Sequence, residues 1–152
     1  MSGDGLILGF IADEDGTGKL TGVVRSNGYS GVGSAWFSVG ELREFAMSLR
    51  AYPLPRDSRL RIAGGFHSQS APHELEQEHL AIEVYPVGIR GQIAFRVSVS
   101  TEVWENCRPE SQNRATVEIL STYARAEQFS RQLEALVAGL DSEARLEVEK
   151  LM

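Results

Sequence analysis

The three histidines of the chain, His67, His73 and His79, lie in one polar stretch together with several glutamates. Imidazole and carboxylate groups are ligands that zinc accepts. However, the histidines follow one another at six-residue intervals, which matches no compact zinc spacing, and the single cysteine, Cys107, is distant in sequence. We therefore expect no bound metal, and these three histidines are the candidate ligands if one binds.

No catalytic or cofactor motif accompanies the histidines. Ser68 and Ser70 lie beside them without the flanking glycines of a nucleophile elbow. The segment Gly16-Thr17-Gly18-Lys19 lacks the first glycine and the final hydroxyl residue of a phosphate-binding loop. We predict no catalytic residue and no cofactor. The alternative is a small-molecule or metal-dependent enzyme or sensor that uses the loop from His67 to His79.

A second set of polar residues falls on the predicted outer side of three strands. Glu83, Arg96 and Glu118 alternate with apolar neighbours, as does Tyr85. Opposite charges on neighbouring strands form a ladder that contributes about 0.2 to 1 kcal/mol per pair. The same side chains would recognise a charged ligand if, together with Tyr85, they lined a concavity. Both interpretations are retained.

The two tryptophans are predicted to have different roles. Trp104 lies in a polar loop among Glu102, Glu105 and Glu110, which is typical of an exposed aromatic anchor for a partner. Trp36 is expected to pack in the core or against a helix.

Alternating apolar residues predict a meander at the start of the chain. Its second turn is Asn27-Gly28, the dipeptide that best supplies the two positive φ values of a type I′ turn. Gly31 and Gly33 interrupt the third strand, which indicates a bulge or the close approach of another backbone. Further strands are expected near residues 60–63, 80–85, 92–99 and 115–119, and a last edge strand is favoured at 145–150.

Two amphipathic helices are predicted. The first begins after Ser38, which stands at capping-box spacing from Glu41, and it ends before Pro53. The second carries an apolar stripe at helical spacing from Phe129 to Leu140. Each half of the chain is thus a run of strands followed by a helix, which fits a duplication or coincidence.

These elements predict a single α+β domain over residues 1–152. Its sheet is expected to be antiparallel, with about six to seven strands and both helices packed on one face, so that one core buries every apolar stripe. The other face of the sheet is then open to water or to a partner.

Composition and charge limit the classes of partner that this chain is expected to bind. The net charge of −6 opposes nucleic-acid binding, because phosphate contacts need a basic surface. The first residues lack the basic and long apolar segments of a secretory signal or membrane span, and one cysteine allows no internal disulfide. We expect a cytoplasmic protein, no membrane contact, and either another protein or a homodimer partner.

Several short segments carry a resemblance. They are Trp36-Phe37, Leu42 to Leu49, Tyr52-Pro53-Leu54, Gly64-Gly65, His79-Leu80 and Pro86 to Gly91. In this order, between Gly28 and Gly139, they resemble small bacterial single-domain proteins of unassigned function, some of them similar to immunity proteins of toxin systems. The resemblance implies a non-enzymatic protein-binding module, and an acidic module suits a basic target.

Overall fold

The computed structural model describes residues 4–55, 60–104 and 107–148. Within these residues the chain forms eight strands, two α-helices and one short 3₁₀ turn, Pro109–Ser111. In chain order the elements are β1 (Gly5–Ala12), β2 (Thr17–Ser26), β3 (Tyr29–Ser38), α1 (Val39–Ser48), β4 (Leu60–His67), β5 (Leu75–Val87), β6 (Gln92–Ser100), β7 (Arg114–Thr122), α2 (Tyr123–Val137) and β8 (Ala144–Glu147).

The α+β class and the antiparallel pairing are confirmed, but the expected single sheet is wrong. The strands form two four-stranded sheets, with orders β3-β2-β1-β8 and β4-β5-β6-β7. Alternation within a segment predicts a strand and its local hairpin. It does not report which hairpins share a ladder, because that depends on contacts between residues far apart in sequence.

The two sheets have the same topology: each consists of a three-stranded meander and one strand from elsewhere in the chain. The meander β1–β3 is completed by β8, which follows α2, and the meander β5–β7 is completed by β4, which follows α1. Each helix therefore leads from the end of one meander to the extra strand of the other sheet. The halves of the chain are alike, as their sequence plan suggested, and they exchange their last strands.

Local signals in the sequence formed as expected. Asn27 and Gly28 have φ angles of 54° and 85°, which gives the predicted turn between β2 and β3. The Ser38 hydroxyl accepts a hydrogen bond of 3.1 Å from the backbone N–H of Glu41 and caps α1. Thr122, which was not predicted as a cap, caps α2 in the same way through the N–H of Arg125, at 3.2 Å. The last strand is also present, as Ala144–Glu147; the rest of its predicted segment, from residue 149, lies outside the described residues.

One continuous core joins both sheets and both helices. Phe129 of α2 meets Phe95 of β6 edge to face, with ring centroids 5.7 Å apart. The helices are tied together by Ser130, whose hydroxyl donates to the carbonyl of Ala46. The last residue of the predicted stripe, Leu140, lies three residues beyond the end of α2 at Val137 and is 80% exposed.

Glycines in the first sheet let the second sheet approach. A Cβ atom on Gly33 would lie 2.1 Å from the carbonyl oxygen of His79, which is far inside van der Waals contact. Strand β3 keeps an unbroken register with β2, so of the two explanations for its glycines, close approach is confirmed and a bulge is not. The register shifts lie instead between β4 and β5, beside Gly65 and His67.

Five apolar residues lie on the outer side of the first sheet, together with the exposed charged residues Lys19 and Arg25. We call Ile7, Ile11, Val23, Val32 and Trp36 the apolar face, because all five point away from the core. Trp36 is 58% exposed, so the expectation that it packs in the core is wrong. Strand alternation decided its direction, since Ala35 and Phe37 on either side of it point inward and are buried.

Neither helix of the described residues is long and apolar enough to cross a membrane.

Candidate functional site

The segment from His67 to His79 is not the loop that its composition suggested. His67 ends β4, the connecting loop covers only residues 68–74, and β5 begins at Leu75. The misleading feature is the run of glutamates at 74, 76 and 78. In the strand, Glu76 and Glu78 are the exposed members of an alternation whose other members, Leu75, Gln77 and His79, are partly or fully buried.

A groove lies where this hairpin meets the loop after β6. Its volume is about 630 Å³. We call it the Trp104 groove, and its lining residues are Gly65, Phe66, His67, Gln69, Glu76, Gln77, Val103 and Trp104. A second hollow of about 520 Å³ shares Gln69, Glu76, Gln77, Val103 and Trp104 and adds Ser68, Ser70 and Cys107. Trp104 therefore borders two adjoining spaces.

Three aromatic rings, each in contact with the next, form a row from the interior to the groove. His79 is buried, with 2% exposure, and meets Phe66 edge to face at a centroid distance of 4.5 Å. Phe66 in turn contacts Trp104 at 4.7 Å, with the planes inclined by 53°. Trp104 is 56% exposed. The outermost ring is thus held from below by packed rings while much of its surface faces solvent.

Gln77 fixes the loop that carries Trp104. Its side-chain Nε2 donates to the carbonyl of Val103 at 2.8 Å, and its Oε1 accepts from the N–H of Val103 at 3.2 Å. The same Oε1 lies 2.9 Å from Nε2 of His79. Because an amide oxygen only accepts, this contact requires the His79 tautomer with the proton on Nε2. The wall of the groove is therefore built by hydrogen bonds as well as by packing.

The charge in and beside the groove is negative. Burial lowers the pKa of His79, and the nearby carboxylate of Glu102 partly opposes that shift. The ring is therefore held in its neutral form. Glu76 contributes a carboxylate to the lining, and the lining that the structure describes contains no lysine or arginine. An exposed aromatic face beside carboxylates attracts a cation rather than an anion.

The histidines do not form a ligand set. His67 lines the groove and His79 lies beneath Phe66, whereas His73 is an exposed residue of the 68–74 loop. Over residues 4–55, 60–104 and 107–148, no group of three or more His, Cys, Asp or Glu side chains is placed to hold a metal ion.

The other candidate residues lie on the outer side of the second sheet. The register sets Glu83 opposite Arg96 and Arg96 opposite Glu118, as a ladder requires, and it adds Arg61 opposite Glu83. Arg61 Nε is 3.8 Å from a carboxylate oxygen of Glu83. The Tyr85 hydroxyl donates to Glu118. This row, with charges alternating in sign across four strands, lies apart from the Trp104 groove.

Phe66 and Gln77 were not among the residues singled out from the sequence. Gln77 lies in the stretch that was interpreted as a loop and Phe66 directly precedes it, so nothing marked them as facing Trp104. The alternation of Leu75, Gln77 and His79 with glutamates is the signal that would have placed Gln77 on a strand.

Comparison of the chain with protein-family models, with curated proteins and with solved structures found no match in any of the three.

Proposed function

We propose that this protein is a non-enzymatic binding module whose Trp104 groove receives a basic side chain of a partner protein. The observation that carries the proposal is the half-exposed ring of Trp104, supported by Phe66, in a groove that also holds the carboxylate of Glu76. The function would be immunity-like or regulatory, in a bacterial cytoplasm, as the resemblance implies.

The chemistry of the groove suits an arginine or lysine side chain. A cation over the face of an indole gains roughly 0.5 to 2 kcal/mol, depending on its desolvation. The carboxylates of Glu76 and Glu102 would add attraction at short range. The net charge of −6 would speed encounter with a basic partner at low salt.

The groove would need little ordering when a partner binds. Both hydrogen bonds between Gln77 and Val103 hold the Trp104 loop, and the N–H of Ser68 donates to the carbonyl of Glu74 at 2.9 Å in the opposite loop. A preorganised wall spares the entropy that a flexible loop loses on binding. This supports a binding role for the groove without any catalytic group.

Tryptophan fluorescence tests the proposal directly, because the chain has two tryptophans and Trp36 lies on the apolar face. In the Trp36→Phe variant the emission reports Trp104 alone. We expect saturable quenching by a short arginine-rich peptide, weakened at least about threefold by Glu76→Gln and by 0.5 M salt. A glutamate-rich peptide of the same length is the matched control and should leave the emission unchanged.

Calorimetry with Trp104→Ala completes the test, and Tyr29→Ala is its control, because Tyr29 is a still more exposed aromatic residue (73% against 56% for Trp104). Heat of binding to the arginine-rich peptide should disappear in the first variant and persist in the second. Equal binding by both variants, or no saturable signal with the parent protein, would reject the groove as a site for basic side chains.

A small-molecule site is the second candidate, and the size of the groove favours it. About 630 Å³ lies within the roughly 300 to 1,000 Å³ typical of small-ligand sites. Free arginine amide and tetramethylammonium distinguish the two, since a small-molecule sensor would bind an isolated cation as tightly as the peptide. The metal-dependent version of this candidate finds no ligand set in the described residues.

A further inference from the structure

A hollow of about 370 Å³ lies on the outer side of the second sheet, near the start of β7. We call it the outer hollow. Its lining includes Arg114 and hydroxyl groups of β6 and β7, which are separate from the lining of the Trp104 groove, whereas Glu76 borders both spaces. Its volume lies within the roughly 300 to 1,000 Å³ typical of small-ligand sites. The outer hollow is therefore large enough to hold a small molecule.

Short polar side chains form the floor of the outer hollow. The register sets Ser98 opposite Thr116 and Ser100 opposite Arg114. The hydroxyls of Ser98 and Thr116 are 3.3 Å apart, and the Ser100 hydroxyl donates to the carbonyl of Glu78 at 2.7 Å. These short residues stand beside the row of long charged side chains on the same sheet face. The surface is recessed here because its side chains are shorter than those around them.

Arg114 contributes an oriented guanidinium to one side of the outer hollow. Its Nε and Nη2 atoms donate to Oε1 of Gln112 at 2.9 and 2.6 Å, and Nε2 of Gln112 donates to the carbonyl of Thr101 at 3.0 Å. None of the ion pairs within the described part of the chain involves Arg114. A neutral amide orients the guanidinium without neutralising it. The remaining N–H groups of Arg114 can therefore bind a carboxylate.

The opposite side of the outer hollow lies on β5 and is acidic. Both carboxylate oxygens of Glu78 accept from Nη2 of Arg61, at 2.8 and 2.9 Å, so that this carboxylate already has a cation. Glu76 is exposed, and its carboxylate forms no ion pair with residues 4–55, 60–104 or 107–148. Glu76 therefore offers an acceptor for a bound cation. One side of the hollow attracts an anion and the other a cation.

We propose that the outer hollow binds a free α-amino acid with a short polar side chain. The carboxylate of the ligand pairs with Arg114, its ammonium group pairs with Glu76, and its side chain meets the floor of hydroxyls. Strands β5 and β7 are separated by β6, so their backbones are roughly 10 Å apart. Two charge-assisted hydrogen bonds of about 2.8 Å each leave roughly 4 Å for the charged groups of the ligand. An α-amino acid meets this limit because a single carbon atom joins its two charged groups.

A zwitterion suits the outer hollow better than a simple ion. The carboxylates of Glu76 and Glu78 would repel a phosphate or a dicarboxylate, and Arg114 would repel a simple cation. A free amino acid compensates the charges on both sides at once. The two ends of a peptide are too far apart to do the same.

Nuclear magnetic resonance of the ¹⁵N-labelled full chain tests the proposal. L-Serine and L-asparagine should each cause saturable shifts of the amide signals of Ser98, Ser100 and Thr116, while the signals of Val23 and Val32 on the apolar face stay fixed. γ-Aminobutyrate, whose charged groups are three carbon atoms apart, is the matched probe and should bind at least about tenfold more weakly. No saturable shift with either amino acid, or shifts confined to the Trp104 groove, would overturn the proposal.

Two derivatives of serine test the two charges separately. L-Serinamide lacks the carboxylate that Arg114 binds, and N-acetyl-L-serine lacks the ammonium group that Glu76 binds. Each should bind at least about tenfold more weakly than L-serine, because one charge-assisted hydrogen bond is lost. If N-acetyl-L-serine bound as tightly as L-serine, the hollow would be a plain anion site and the zwitterion would be rejected.

Two variants test the residues of the outer hollow. Arg114→Gln removes the guanidinium and Ser98→Leu fills the floor, and each should weaken L-serine binding at least about tenfold. Arg90→Gln is the matched control, because it removes an exposed arginine of the β5–β6 turn, and it should bind as the parent does. All three variants should keep the parent's circular dichroism. Unchanged binding by Arg114→Gln would overturn the proposal and leave the Trp104 groove unaffected, since Arg114 does not line it.

Discussion

The two sheets have the same strand order and opposite outer surfaces. The first exposes the apolar face, whose Val32 and Trp36 are 55% and 58% exposed. The second exposes the row of Arg61, Glu83, Arg96 and Glu118, which alternates in sign across four strands. Topology therefore does not determine the character of a sheet's outer surface. The outward-facing residues decide it: a charged ladder is well solvated, whereas exposed apolar side chains are not.

The inner surfaces of the sheets differ in a complementary way. The first sheet contributes glycines at 22, 31 and 33, and the second contributes the side chains and backbone that fill the space above them, from Leu80, Val99, Ala115 and His79. Glycines of the first sheet thus leave the space that side chains and backbone of the second sheet occupy. This complementarity favours the observed orientation of the two sheets.

The largest effect is expected at Gly33. Gly33→Val would force a side chain against the His79 carbonyl and against Val99, whose Cβ would lie 2.9 Å from the added atom. We expect a loss of about 3 kcal/mol or more in the free energy of unfolding, measured with urea. Gly9→Ala, on the outer side of the same sheet, is the control and should change it by less than about 0.5 kcal/mol. If both variants lost the same free energy of unfolding, the close packing on the inner side of the sheet would not explain the effect at Gly33.

An intermediate effect is expected in the charged row of the second sheet. Arg96→Glu would leave three carboxylates side by side, and we expect a loss of about 1 kcal/mol that 0.5 M salt reduces. Lys19→Glu, on the first sheet, is the matched reversal, because Lys19 has Ile11 and Trp36 rather than acids as its cross-strand neighbours. If both variants lost the same stability with the same salt dependence, the ladder would contribute nothing of its own.

The smallest effect is expected from His79, which has no counterpart in the first sheet. Burial lowers its pKa below 6.5, so the folded state binds the proton less readily than the unfolded chain. Stability should be complete above pH 6.5 and fall as the pH drops from there through the lowered pKa. Urea titrations from pH 7.5 to 5 measure this slope, which His79→Gln should reduce and His73→Gln, at an exposed histidine, should leave unchanged.

Turns, caps and single strands could be predicted from the sequence, but the pairing of strands far apart in the chain could not. The turn at Asn27-Gly28, the cap at Ser38 and the strand at Ala144–Glu147 depend on a few neighbouring residues, and they formed as predicted. The errors at Trp36 and in the stretch from His67 to His79 have one cause. In both places composition outweighed alternation, although alternation is what directs a strand side chain.

For the candidate site, sequence reasoning singled out Trp104, His67 and His79. The groove also needs Phe66 and Gln77, which meet Trp104 and Val103 across a large sequence separation. No spacing rule connects such residues, because they come together only after the strands have paired. The pairing of β4 with β5 also contains register shifts, which sequence spacing does not predict.

By itself, the sequence determined that this is an α+β protein with antiparallel strands, two amphipathic helices, a cap at Ser38 on the first of them, and a net charge of −6. Only the tertiary structure decided that the strands divide into two sheets, that the halves exchange their last strands, and which aromatic residues face solvent. The physical reason is that turns and caps are satisfied by nearby backbone groups. A sheet's partners and its exposed face depend on which distant surfaces can be buried together.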